Sequence, residues 1–121
     1  MIKVMIIDDE TQITAMLEKS LSRNKELSLS VFNNPEIALS RFASIEPDVV
    51  LLDIMMPQMD GIAVLEKIKV SHPNTKVIMM TAYSTLDRVL GSHKIGANDF
   101  LLKPFESLMD VELRVINILK K

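Results

Sequence analysis

Cysteine is absent from the 121 residues, and so is any excess of basic charge. Without cysteine there is no disulfide framework, no thiolate metal site and no thiol nucleophile, which fits a reducing compartment. Fourteen Lys+Arg against sixteen Asp+Glu leave a formal net charge of -2. A chain that neutralises nucleic-acid phosphates carries a basic excess, so direct nucleic-acid binding is not expected. No apolar run approaches the roughly 20 residues of a membrane span. No stretch has the charged, then apolar, then small-residue layout of a secretory signal. Repeats, low-complexity stretches and internal linkers are missing too. The chain therefore reads as one soluble cytoplasmic domain, 48% apolar and 25% charged, long enough to stabilise its own core.

What is present is an alternation of short apolar runs with helix-period segments. The runs are Ile2–Ile7 (broken by Lys3), Leu27–Val31, Val49–Leu52, Val77–Met80 and Phe100–Leu102. Continuous runs are strands buried on both faces, hence a parallel sheet covered by helices. The second run alternates with Ser28 and Ser30, as an edge strand does. Between the runs lie helical faces: Ile13, Met16, Leu17 and Leu21; Ala38, Phe42 and Ile45; Ile62, Leu65 and Ile68; Leu86, Val89 and Leu90; Leu108, Val111, Val115 and Leu119. Asn34-Pro35-Glu36 combines a cap, a first-turn proline and an acid matched to the helix dipole. Gly96 stands where a C-cap glycine belongs. Five strands alternating with five helices predict an α/β fold, a (βα)5 doubly wound parallel sheet with right-handed crossovers.

In an open α/β sheet, ligands bind at the carboxyl ends of the strands. The residues just beyond the runs are Asp8, Asp9 and Glu10, then Asp53, Thr81 and Lys103, the last followed by Pro104 and Phe105. Phe32 and Asn33 end the second run and offer nothing reactive. Singly, each of these residues reads as a cap, a turn or a surface charge. Jointly they bring three aspartates, a hydroxyl and an ammonium to one rim. Three adjacent carboxylates repel, and a divalent cation removes the conflict. Magnesium needs only a few hard oxygen ligands and keeps several waters, leaving room for phosphate oxygens. Lys103 supplies a point charge for an anion and Thr81 a donor. Carboxylate, metal, lysine and hydroxyl together suit phosphoryl transfer. His72 and His93 have no ligand spacing and read as surface or capping residues. Met55, Met56, Met59, Met79 and Met80 lie near the rim, mostly as core fillers.

These residues carry a resemblance. The chain resembles the receiver domain of bacterial two-component response regulators, through Asp8-Asp9-Glu10, Asp53 to Gly61, Thr81-Ala82 and Gly96 to Phe105. The separations match as well: 44 from Asp9 to Asp53, 28 from Asp53 to Thr81, 22 from Thr81 to Lys103. The resemblance implies the flavodoxin-like strand order 2-1-3-4-5 and one receiver domain over residues 1–121, with no output domain in this chain. It implies that Asp53 accepts a phosphoryl group from a histidine kinase or histidine phosphotransfer protein. Asp9, Asp53 and the backbone carbonyl of Met55 would bind Mg2+ directly, with Asp8 acting mostly through water. Lys103 and the Ala82 amide would contact the phosphoryl group, and the Lys103–Pro104 peptide would be cis. Thr81 and Phe100 would form the switch, with phenylalanine where a tyrosine hydroxyl could have reported the state. The output would be a changed surface on the fourth helix, fifth strand and fifth helix, read by an effector domain or protein.

Two further expectations concern this sequence in particular. Met55 and Tyr83, each two residues beyond a site residue, are large and poor at activating water, so self-dephosphorylation should be slow. Met109, Leu113 and Ile116 form a second apolar stripe on the last helix, which is either sunk between neighbours or a partner or dimer surface. Other functions fit less well. A haloacid-dehalogenase-like phosphatase keeps its nucleophile after the first strand in an Asp-x-Asp pattern and needs a cap domain. A flavodoxin needs a Ser-, Thr- and Gly-rich loop where this chain is acidic. A receiver that no longer takes phosphate would not be expected to retain Asp8, Asp9, Asp53, Thr81 and Lys103 together.

Overall fold

The computed structural model describes residues 1–82 and 86–120, and of Leu86, Arg88 and Leu90 the backbone. Strands and helices alternate: β1 (Ile2–Ile7), α1 (Thr11–Leu21), β2 (Leu27–Phe32), α2 (Pro35–Ile45), β3 (Val49–Asp53), α3 (Gly61–Ser71), β4 (Lys76–Thr81), α4 (Leu86–Ile95), β5 (Asp99–Leu102) and α5 (Leu108–Ile118). The five strands form one sheet in the order β2-β1-β3-β4-β5, and the pairs are parallel. The doubly wound fold is therefore the expected one, with the alternating β2 at an edge.

The sheet is covered because the inner strands carry unbroken apolar stretches, Val4–Ile7, Val49–Leu52 and Val77–Met80. Met5, Ile7, Val50, Leu52, Val77 and Met79 face one layer, where Ala38 and Phe42 of α2 and Val64, Leu65 and Ile68 of α3 pack, with Val89 of α4 at its margin. Val4, Ile6, Val49, Leu51, Ile78 and Met80 face the other, against Leu17 and Leu21 of α1 and Val111, Val115 and Ile118 of α5. Period-2 alternation of a continuous apolar run thus loads both faces. Leu51 is fully buried, and truncation of such a residue to alanine costs about 2–5 kcal/mol.

Local signals set the helix ends. The Asn34 side chain accepts from the amides of Glu36 and Ile37, and Pro35 begins α2. Asp60 caps α3, and Ser107 caps α5. Gly96 follows α4 with φ +121, and His72 is the C-cap residue of α3. One expectation shifts and one open alternative is decided. On α1 the buried face is Thr14, Leu17 and Leu21, and Met16 is 36% exposed. On α5, Met109 and Leu113 are 72% and 50% exposed, so these two form a surface, while Ile116 of the same stripe is half-buried. Tyr83 and the side chains of Leu86 and Leu90 lie outside the described residues.

Candidate functional site

The carboxyl ends of β1, β3, β4 and β5 converge because the sheet is parallel and these four strands are neighbours in it. Asp8 follows β1, with its amide donating to the Phe32 carbonyl at 3.1 Å, and is fully buried. Asp53 is the last residue of β3 and is also buried. Thr81 ends β4, and the Lys103 amide donates to its carbonyl at 2.7 Å. Lys103 thus extends β5 by one step, and the Lys103–Pro104 peptide is cis.

The Lys103 ammonium lies 2.6 Å from Asp8 Oδ2, 3.2 Å from Asp53 Oδ1 and 3.5 Å from Glu10 Oε1. One oxygen from each of Asp8, Glu10 and Asp53 lies within 4.8 Å of the others. Burial pushes the Asp53 carboxyl up to about 6, reinforced by the charge of Asp8 and opposed by Lys103. Asp8 is also raised by burial, against the pull of Lys103 and the Glu10 amide. Burial works against the Lys103 charge, but Asp8 and Asp53 outweigh it and raise its pKa. One ammonium shared among three carboxylates leaves a local surplus of negative charge.

Comparison with known proteins identifies the family. A family model, the response regulator receiver domain, matches residues 4–113. The chain belongs to the response regulator receiver family. The DNA-binding transcriptional regulator NtrC of Salmonella typhimurium is 44% identical to this receiver over 103 residues, 85% of this chain and 22% of that protein. The chain thus spans about a fifth of the NtrC relatives it matches. The chemotaxis protein CheY of Listeria monocytogenes is 34% identical over 107 residues, 88% of this chain and 90% of that one. Among solved structures, a receiver domain from Clostridium thermocellum superposes with a TM-score of 0.91 at 27% identity, covering 99% and 95% of the two chains. Membership of this family leaves the dehalogenase-like and flavodoxin readings behind.

The receiver gathers Asp8, Asp53 and Lys103 tightly, with Glu10 as an additional acid that the sequence pattern did not single out. Among the described residues the three-carboxylate group is Asp8, Glu10 and Asp53; Asp9 is half-buried beside it. Its charge still reaches Asp53 and adds to the upward shift. The Thr81 hydroxyl, buried, donates to the Ala82 carbonyl at 3.0 Å. Phe100 is half-buried against the α2–α4 layer, with its ring 6.4 Å from that of His93. Met55 has a side chain 56% exposed beside Asp53, whereas Met56, Met79 and Met80 are buried and Met59 packs against the core. The family uses Mg2+, and the donor set here suits it: hard carboxylate oxygens, those of Asp8 and Asp53 buried, more negative charge than Lys103 balances, and no sulfur or imidazole ligand in the group.

Two supporting features are invisible to periodicity. Gly61, the first residue of α3, lies against the Asp53 and Ile54 backbone, where a β-carbon would come 2.1 Å from the Asp53 carbonyl oxygen. Asn33, passed over as unreactive, donates to the Asp8 carbonyl and to the Thr14 hydroxyl, each at 2.9 Å. Gly61 closes the Asp53 to Gly61 stretch of the resemblance, but its reason, like that of Asn33, is backbone that only the fold brings near. No helix among the described residues is long and apolar enough to cross a membrane.

Proposed function

We propose that this receiver is a phosphorylation-activated switch in which Asp53 takes a phosphoryl group from a phosphohistidine, on a histidine kinase or a histidine phosphotransfer protein. The observation that supports it best is the buried Asp53 carboxylate, 3.2 Å from the Lys103 ammonium and beside Asp8. An Asp53 oxygen attacks phosphorus, the P–N bond breaks, and its electron pair returns to the imidazole nitrogen. The product is an acyl phosphate on Asp53. Asp9, Asp53 and the Met55 carbonyl would hold Mg2+, with Asp8 and Glu10 close by. Held there, Mg2+ would supply neutralisation of phosphoryl charge that Lys103 alone does not balance. Lys103 positions the incoming oxygens, and the Thr81 hydroxyl and Ala82 amide donate to them.

The new dianion would draw the Thr81 hydroxyl away from the Ala82 carbonyl and open space for Phe100 to turn inward. The output is then a changed face on α4, β5 and α5, offered to an effector domain, to a partner protein or to a second copy of the chain. Residues 1–121 form one receiver domain on this reading, acting in the cytoplasm and making no direct nucleic-acid contact of its own. Met55, two residues beyond Asp53, does not activate water, and neither residue type at positions 55 and 83 is a good base, so the phosphoryl group is long-lived. The test is incubation with acetyl phosphate and Mg2+ followed by mass spectrometry. One phosphoryl group should add to the parent chain and none to Asp53→Asn; labelling of that variant would overturn the assignment.

A further inference from the structure

Asp8 is held from the end of β2 through both of its flanking peptides. On one side the Asp8 amide donates to the Phe32 carbonyl, 3.1 Å. On the other the Asp8 carbonyl accepts from Asn33 Nδ2, 2.9 Å. The second hydrogen of that carboxamide goes to Thr14 Oγ1, also at 2.9 Å. Thr14 is buried, and its own hydroxyl hydrogen is directed to the Thr11 carbonyl at 3.1 Å, so its oxygen is free only to accept. Both partners of Asn33 are therefore acceptors, and a primary amide with two hydrogens matches them. An aspartate at this position has the shape but no donor.

We infer that Asn33 is a positioning residue that sets the divalent-cation affinity of the acidic loop by fixing the Asp8–Asp9 peptide. This rests on the reading of Asp8, Asp9 and Asp53 as the cation site. The Asn33 hydrogen bonds go to the Asp8 carbonyl and the Thr14 hydroxyl and not to these carboxylates. It acts through the plane of one peptide bond, whose carbonyl it pulls toward β2 and whose orientation decides where the Asp9 side chain leaves the backbone. Thr14 joins the same clamp to the first turn of α1, so β2, the acidic loop and α1 share one node. Outer-shell partners that orient ligands change metal affinity about 10- to 100-fold when removed. The lower end applies here, because the hold is on the backbone and one of two fastenings, the Asp8 amide, survives.

The experiment is Mg2+ titration by calorimetry of the unphosphorylated full chain at fixed pH and ionic strength, with metal-free melting curves alongside. Asn33→Ala should bind Mg2+ about tenfold more weakly while melting near the parent without metal. Thr14→Val, close in shape but without the acceptor, should show a smaller loss, and Thr14→Ser should restore parental affinity. Should Asn33→Ala fail to fold, the Thr14→Val and Thr14→Ser pair carries the same comparison. Parental Mg2+ affinity in Asn33→Ala, or equal affinity in Thr14→Val and Thr14→Ser, would overturn the inference. Asp9→Asn and Asp53→Asn tell the two failures apart. If they lose binding while Asn33→Ala keeps it, the clamp is wrong and the cation site stands. If they bind as the parent does, the cation site itself is wrong and the clamp falls with it.

Discussion

A β-carbon on Gly61 would lie 2.1 Å from the carbonyl oxygen of Asp53 and 2.7 Å from the Cα of Ile54. The first turn of α3 thus rests directly on the backbone of the proposed phosphoacceptor. Both atoms belong to the main chain, so neither can swing aside. Gly61→Ala should destabilise the chain by about 1–3 kcal/mol or more, as overpacking does, and should lower the rate of labelling by acetyl phosphate. Gly91→Ala is the control. Nothing lies within 4 Å of a β-carbon there, and alanine is the better helix former, so α4 should gain up to about 1 kcal/mol. Urea denaturation of the two variants checks the contrast.

The Asp53 carboxyl makes stability depend on pH. In the folded chain it binds its proton up to about 6, against an ordinary 3.8. A raised carboxyl pKa means the folded state holds the proton more tightly. Stability therefore rises as pH falls from above 6 toward 4, and the buried charge is a cost at neutral pH. A shift of this size corresponds to about 2–3 kcal/mol. In metal-free buffer at pH 7.5, Asp53→Asn should melt above the parent, and the gap should close by pH 4. A parent curve that is flat between pH 4 and 7 would contradict this.

Lys103 balances two buried carboxylates at once, at 2.6 Å and 3.2 Å. Lys103→Ala leaves them without a cation, and breaking a buried pair typically costs about 3–5 kcal/mol. Part of that is recovered when the acids protonate. The variant should therefore melt well below the parent at pH 7.5, recover toward pH 5, and gain more from added Mg2+ than the parent does. Melting curves over a matrix of pH and Mg2+ measure all three effects.

Met109 and Leu113 stand one turn apart on the exposed flank of α5. Replacing both with lysine should leave melting close to the parent, because neither belongs to the core. If a second copy of the chain uses this face once Asp53 is phosphorylated, the double variant should sediment as a monomer under conditions where the phosphorylated parent associates. Association that persists unchanged in the variant would move the contact elsewhere.

The strands and the rim were legible because they rest on residue type and period. Val49–Leu52 and Val77–Met80 are apolar at every position, which only a strand buried on both faces explains. Asn34-Pro35-Glu36 marked the start of α2 for chemical reasons that operate within four residues. The convergence of Asp8, Asp53 and Lys103 followed from parallel topology alone. Glu10 was harder to see: Asp8 is the acid of the three that turns inward, and the 60% exposed Glu10 side chain joins the group from the turn in which the Glu10 amide donates to Asp8 Oδ1. Met16 was misplaced because its hydrophobicity fits the α1 stripe, while the tighter space went to Thr14, whose hydroxyl is satisfied within the turn. Asn33 and Gly61 act on main-chain atoms distant in sequence, and no periodic pattern encodes that.

The hydrogen bond from the Lys103 amide to the Thr81 carbonyl has a mechanical consequence. The two residues that would grip the incoming oxygens are stitched together by the last rung of the β4–β5 ladder. Neither strand can slide past the other without breaking that rung. A switch that runs from this rim toward Phe100 would therefore move side-chain torsions first, with the β4–β5 register held.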